Sequence, residues 1–197
     1  MRREQILQIA ALKFVEKGYN LSLSEVAKEA GIRKQTLYNY FEGKDELLLE
    51  VIKLETESYF DDKRVEFKGF ETLPSEERLK NMFMSIVKYF SKKEKILFWR
   101  WMILVDSEAL KLQIRAWLTT PEKRFMETLY IAFESGMKNQ EIKEQPIQPL
   151  LSTYYALIHG VIDGILVSTN EEMAKQYSNN VWEVFWKGRK SEEEFIK

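Results

Sequence analysis

Apolar residues recur three or four positions apart along nearly the whole chain, and no stretch alternates convincingly, so the pattern predicts helices throughout. Ile6, Leu7, Ala10, Ala11 and Phe14 put one apolar face on a first helix from about Arg3 to Lys17, and Gly18 stands where a C-terminal glycine ends such a helix. Ser22 and Glu25 form an S-x-x-E capping pattern opening a short helix to about Ala30. Gly31 and Ile32 make a tight turn, a second short helix runs from about Lys34 to Phe41, and the Glu42–Gly43 break precedes a long helix from Lys44 towards residue 60. The charged stretch 61–74, holding Gly69 and Pro74, reads as a loose connection. Further helices are expected at about 75–91, 93–106, 108–117, 121–138, 148–169 and 171–188, with a loop over 136–149 and a frayed acidic tail over 191–197. The expected class is all-α, with about nine helices.

Composition narrows the field. Of 197 residues, 45% are hydrophobic and 31% charged, which suits a buried core under a solvated surface. Cysteine is absent, which excludes disulfides, thiolate zinc sites and thiol catalysis and suits a reducing compartment. No run of about 18 apolar residues suggests a membrane span, and the amphipathic N-terminus lacks a signal peptide's apolar region; the expectation is a cytoplasmic protein. A net charge of −1 argues against a generally basic coat, but not against a compact basic head.

The most informative stretch is SLSEVAKEAGIRKQTLYNYFEGK, residues 22–44. Two short helices joined by a glycine-containing turn of three or four residues have the geometry of a helix-turn-helix. Val26, Ala27 and Ala30 give the first helix a small inner face, and Leu37 and Phe41 give the second its own. Gln35, Thr36, Tyr38 and Asn39 are left pointing outward, where amides can bond base edges and a threonine methyl can touch thymine. A solvated face without a partner more usually carries Glu and Lys. Arg33, Lys34 and Lys44 lie at helix starts, where side-chain charge and unpaired N–H groups both favour phosphate.

These residues resemble the tetracycline-repressor (TetR) family of bacterial regulators. The likeness covers about residues 3–50: a first helix ending F-x-x-x-G-Y, then S-x-x-E-V-A-K-E-A-G-I-R-K-Q-T-L-Y-N-Y-F, then Lys44 followed by D-E-L-L. It implies that Ser22 caps the second helix and touches phosphate with Ser24 near it, that Lys34, Gln35, Thr36 and Tyr38 face the major groove, and that Tyr40 and Lys44 meet backbone phosphates. Gln35 departs from the small residue often seen there, so the operator sequence stays open. The resemblance further implies a helix-turn-helix DNA-binding domain over 1–46, a helical ligand-binding and dimerisation domain over 47–190, and a homodimeric repressor that a small molecule releases from a palindromic operator.

Beyond residue 60 the likeness thins to helix count and length. Phe83, Phe90, Phe98, Trp99, Met102, Trp117, Phe125, Tyr130, Tyr154 and His159 are candidate pocket residues for an apolar or aromatic effector, because large rings in a bundle leave irregular gaps. A packed core accounts for most such rings equally well. His159 stands four residues before Asp163, too few ligands for a metal site. Tyr155, Ile158, Ile162 and Ile165 on one terminal helix, with Val181, Trp182 and Phe185 on the next, form an apolar excess that predicts a partner surface. No cofactor, metal or catalytic residue is expected. A helical enzyme is disfavoured by zero Cys, one His and no phosphate loop, and a protein-only adaptor needs no Gln-Thr-Tyr face.

Overall fold

The structure, a computed structural model, describes residues 3–167 and 171–189; the expected tail at 191–197 lies outside them. Among the described residues it is all-helical: α1 (Arg3–Lys17), a 3₁₀ turn (Gly18–Asn20), α2 (Leu23–Glu29), α3 (Lys34–Leu37), α4 (Lys44–Lys68), α5 (Ser75–Phe90), α6 (Lys93–Ile103), α7 (Glu108–Lys138), α8 (Ile147–Val167) and α9 (Glu171–Lys187).

Expected boundaries move in three places, the first being α3, which ends at Leu37 rather than Phe41. The charged run after residue 60 continues α4 to Lys68, because Thr56, Tyr59, Lys63 and Phe67 keep an i, i+3, i+4 spacing and all four are buried. The break expected near Pro121 is absent, and α7 is one helix of 31 residues with that proline inside. Proline there removes one N–H donor from the ladder without ending it.

The chain divides into two compact units, Met1–Asp61 with Glu94–Pro121, and Asp62–Lys93 with Glu122–Lys197. In the first unit Leu47, Leu48, Val51 and Ile52 of α4 are buried in one cluster with Ile6, Phe14, Val26, Leu37 and Phe41 of the head and Phe98, Met102, Leu110 and Ile114 of α6 and α7. Phe14 meets Phe98 edge-on at 5.5 Å, an arrangement worth about 0.5–1.5 kcal/mol beyond its area.

The second unit is built round Tyr154, which is fully buried among Phe83, Phe133, Trp182 and Phe185 and whose hydroxyl donates to the Leu79 carbonyl at 2.9 Å. A buried polar knot ties the end of α4 to α5: the Lys63 ammonium donates to Ser85 Oγ (2.6 Å), the Ser85 carbonyl (3.1 Å) and Glu66 Oε2 (2.8 Å). Burial works to raise the Glu66 carboxyl, but the hydrogen bonds from Lys63 and Ser85, with the charges of Lys63 and Lys88, outweigh it and leave it below its ordinary value. The helix α8 has a mean hydropathy of 1.5 over an 18-residue window, enough by length and composition to cross a bilayer. Leu150, Leu151, Tyr154, Ile158, Val161 and Ile162 of this helix are buried in the core of the unit, and 33% of that window is buried in all.

The end of α1 turns on Gly18, whose φ is +58° and whose missing Cβ would lie 2.6 Å from the Trp101 ring. The Trp101 indole also donates to the Val15 carbonyl at 3.2 Å, so the ring cannot easily retreat. Gly31 has φ +65° but open space around it. Gly18→Ala should therefore lower unfolding stability by about 2 kcal/mol or more through backbone strain plus clash, whereas Gly31→Ala should cost about 1 kcal/mol from strain alone. Urea unfolding of the two variants checks the order; equal losses would remove Trp101 from the account.

Candidate nucleic-acid interface

The helix-turn-helix rests on two local devices. At the start of α2, Ser22 Oγ accepts from the Glu25 N–H at 3.2 Å, and a Glu25 carboxylate oxygen accepts from the Ser22 N–H at 3.0 Å, which completes the capping box. At its end, Ile32 N–H donates to the Ala27 carbonyl (2.9 Å) and Gly31 N–H to the Lys28 carbonyl (3.1 Å). That pair of bonds with a left-handed Gly31 is a Schellman motif, and it sets the direction in which α3 departs. Because α3 has only four regular residues, far fewer than a free helix needs, its orientation depends on Leu37 and Phe41, exposed by 0% and 1%.

The residues expected to meet DNA share one exposed surface character. Ser22, Ser24, Arg33, Lys34, Gln35, Tyr38, Asn39 and Tyr40 are exposed, and Thr36 is half-buried. Tyr38 stands 47% exposed with the Lys34 ammonium 5.9 Å from its ring centre. An exposed phenol beside two amides has nothing apolar to cover, as a recognition surface requires.

Charge is distributed unevenly over the head. Lys13 pairs with Glu16 at 3.1 Å and Glu29 at 3.8 Å, and Lys17 pairs with Glu25. Among the described residues no carboxylate lies within salt-bridge distance of Arg33 or Lys34. Arg33 and Lys34 thus place positive charge without a carboxylate partner next to Gln35 in the chain.

Lys44 is differently placed. It is half-buried, donates to the Tyr19 carbonyl at 2.9 Å and lies 3.6 Å from the centre of the Tyr19 ring. The Tyr19 hydroxyl donates to Asp45 Oδ1 at 2.8 Å, and Asp45 Oδ2 accepts from Ser107 Oγ at 2.5 Å. Burial first, then the Asp45 hydrogen bond, pushes the Tyr19 phenol above its ordinary value. Sequence reading gave these partners no role; the Gly-Tyr after α1 was visible as part of a motif, but nothing local ties it to Ser107, 88 positions later.

The expected pocket residues are split between the units. Phe98, Trp99, Met102 and Trp117 belong to the first and Phe83, Phe90, Phe125, Tyr130, Tyr154 and His159 to the second. Phe83, Phe98 and Tyr154 are fully buried core rings, whereas Tyr130 borders a surface groove and His159 is exposed, 4.5 Å from the Tyr155 ring. Of the expected partner stripe, Ile158, Ile162, Trp182 and Phe185 are buried inside their own unit, Ile165 and Val181 are half-buried, and Tyr155 is exposed. The described residues contain no cluster of three or more His, Asp or Glu side chains able to hold a metal.

A head with a capped helix, a glycine turn and an exposed polar recognition face is a helix-turn-helix of DNA-binding type. Residues 6–51 match the sequence model of the family described as "Bacterial regulatory proteins, tetR family". The whole fold is similar to FadR from Bacillus subtilis in complex with stearoyl-CoA, with a TM-score of 0.73 and 22% identity over 95% of this chain and 99% of that one. FadR from Bacillus halodurans gives 0.72 at 19% identity, over the same shares of 95% and 99%. The ketosteroid regulator KstR2 of Mycobacterium tuberculosis gives 0.69 at 16% identity, over 98% and 96%.

The capping box carries a titration. Lys17, ahead of the Ser22 backbone bond, holds the Glu25 carboxyl down from 4.5 to about 2. A depressed carboxyl favours the folded state above pH 4.5, and that contribution disappears as pH falls through about 2. A carbon-detected NMR titration should place the Glu25 midpoint near 2, and Lys17→Met should move it up towards 4.5. A midpoint unmoved by that substitution would assign the shift to Ser22 alone.

Proposed function

We propose that this protein is a ligand-responsive repressor that binds a palindromic operator as a homodimer and is released by a small apolar or aromatic molecule. The observation that carries the reading is the exposed face of α3, where Lys34, Gln35, Tyr38 and Asn39 stand out while Leu37 and Phe41 anchor it from behind. Gln35 and Asn39 read base edges, Tyr38 and Thr36 contact bases or thymine methyls, and Arg33, Lys34, Ser22, Ser24, Tyr40 and Lys44 hold phosphates. On this reading residues 1–46 read DNA and 47–190 sense the ligand and pair.

One head discriminates poorly, whereas two heads about 34–36 Å apart on a two-fold axis read successive major grooves. The pairing surface proposed here is the side of α8 and α9 that their own core leaves uncovered: Tyr155, Val167, Met173, Tyr177 and Val184, 45% to 79% exposed. The similar structures, one a regulator in complex with stearoyl-CoA and one named a ketosteroid transcriptional regulator, support an effector with a large apolar part here. To release DNA the effector must favour the non-binding conformation; about 100-fold differential affinity is roughly 2.7 kcal/mol of coupling.

Fluorescence anisotropy against the DNA upstream of the protein's own coding sequence tests the head. Tyr38→Ala should abolish specific binding with the urea midpoint nearly unchanged, and Lys34→Ala should weaken binding to all sequences and reduce the salt slope by about 1. Global unfolding of Tyr38→Ala would make Tyr38 a structural residue and end the reading.

The pairing surface is tested separately by light scattering. Tyr155→Arg combined with Val184→Arg should convert a dimer to a folded monomer and lower operator affinity by at least about tenfold. A dimer that survives both substitutions moves the interface elsewhere.

A further inference from the structure

The second unit holds a cleft of about 600 Å³ between α5, α8 and α9, within the size range of small-molecule sites. Its apolar wall is Met84 and Val87 of α5 and Ile165 of α8, and Lys88, Lys175 and Glu172 also line it. None of the rings singled out for a pocket in the sequence lines this cleft.

The charges there do not balance. Elsewhere on the same two helices Lys80 of α5 pairs with Glu183 of α9 at 3.1 Å, one cation to one carboxylate. Among the described residues, two lysines line the cleft with one carboxylate, Glu172, beside Met84, Val87, Ile165 and Ala174. A purely apolar guest would cover the apolar wall but leave one of the two ammonium groups in the cleft without a counter-charge. A guest carrying one acidic group satisfies both features: the acid neutralises the surplus cation, and the body covers the apolar wall.

We propose that this cleft binds an amphipathic anion, its acidic group at Lys88 and Lys175 and its apolar part against Met84, Val87 and Ile165. The proposal deepens the effector part of the proposed function and rests on it for its consequence, though not for the binding itself.

The test uses the full-length protein and 8-anilino-1-naphthalenesulfonate, an amphipathic monoanion whose fluorescence rises in apolar sites, displaced by decanoate or by uncharged decanol. Decanoate should displace the dye at a concentration at least about tenfold lower than decanol, since each factor of ten is about 1.4 kcal/mol of charge recognition. Lys88→Glu and Lys175→Glu should each weaken dye and decanoate binding tenfold or more with circular dichroism unchanged, while Lys138→Glu, at a different groove, leaves both as they were. Filling the cleft with Ile165→Trp should abolish displacement even if a charge reversal perturbs the fold. Decanol equal to decanoate, or binding indifferent to both reversals and to Ile165→Trp, overturns the proposal. Decanoate bound in the cleft with operator affinity unmoved upholds the site and removes its effector role; absence of any DNA binding refutes the head's assignment and leaves the cleft result standing.

Discussion

A recognition helix of four regular residues cannot hold itself, so the chemistry of its outer face depends on two side chains pointing the other way. Leu37 and Phe41 are the constraint. Their burial in a core that α1, α2, α4, α6 and the first part of α7 share fixes how Gln35, Tyr38 and Asn39 are presented. Truncating either in such a site costs about 2–5 kcal/mol, a large part of a domain's stability. The polar face is rigid because its back is hydrophobic, and it needs few hydrogen bonds of its own.

The same core explains why reading and support are not separate blocks of sequence. Leu47, Leu48, Val51 and Ile52 stand past the expected domain boundary yet complete the head's interior. Asp45, at the first turn of α4, accepts from Tyr19 and from Ser107, whose Oγ also accepts from the Leu110 N–H at 3.2 Å near the start of α7. Residues far apart in the chain thereby fix one helix end, and any movement of α4 is felt at the turn that follows α1.

Much of this was legible because it is local. A capping box is an i, i+3 pair, a Schellman turn needs one glycine in the right place, and the i, i+4 spacing of Leu37 and Phe41 names an inner face; all three are written in residues 22–41. The length of α4 was obscured by the Asp61–Arg64 charges, although Tyr59, Lys63 and Phe67 already marked a buried stripe beneath them. The inward face of the terminal helices was not legible, for a different reason. Both sides of α8 are apolar, so spacing cannot say whether Ile158 or Tyr155 faces inward; only packing against Phe83 and Trp182 decides it. The cleft was missed because its lysines and methyl groups come from three helices and form no pattern in any one of them.

The position of Lys44 has a thermodynamic corollary. Its ammonium already has a carbonyl and an aromatic face as partners in the isolated chain. A phosphate approaching it replaces existing contacts rather than bulk water, so the net gain is only the difference between the two environments. Such a cation is poorly suited to general adhesion along a polyanion. On the proposed reading, a phosphate would have to compete with the Tyr19 carbonyl and ring for this ammonium.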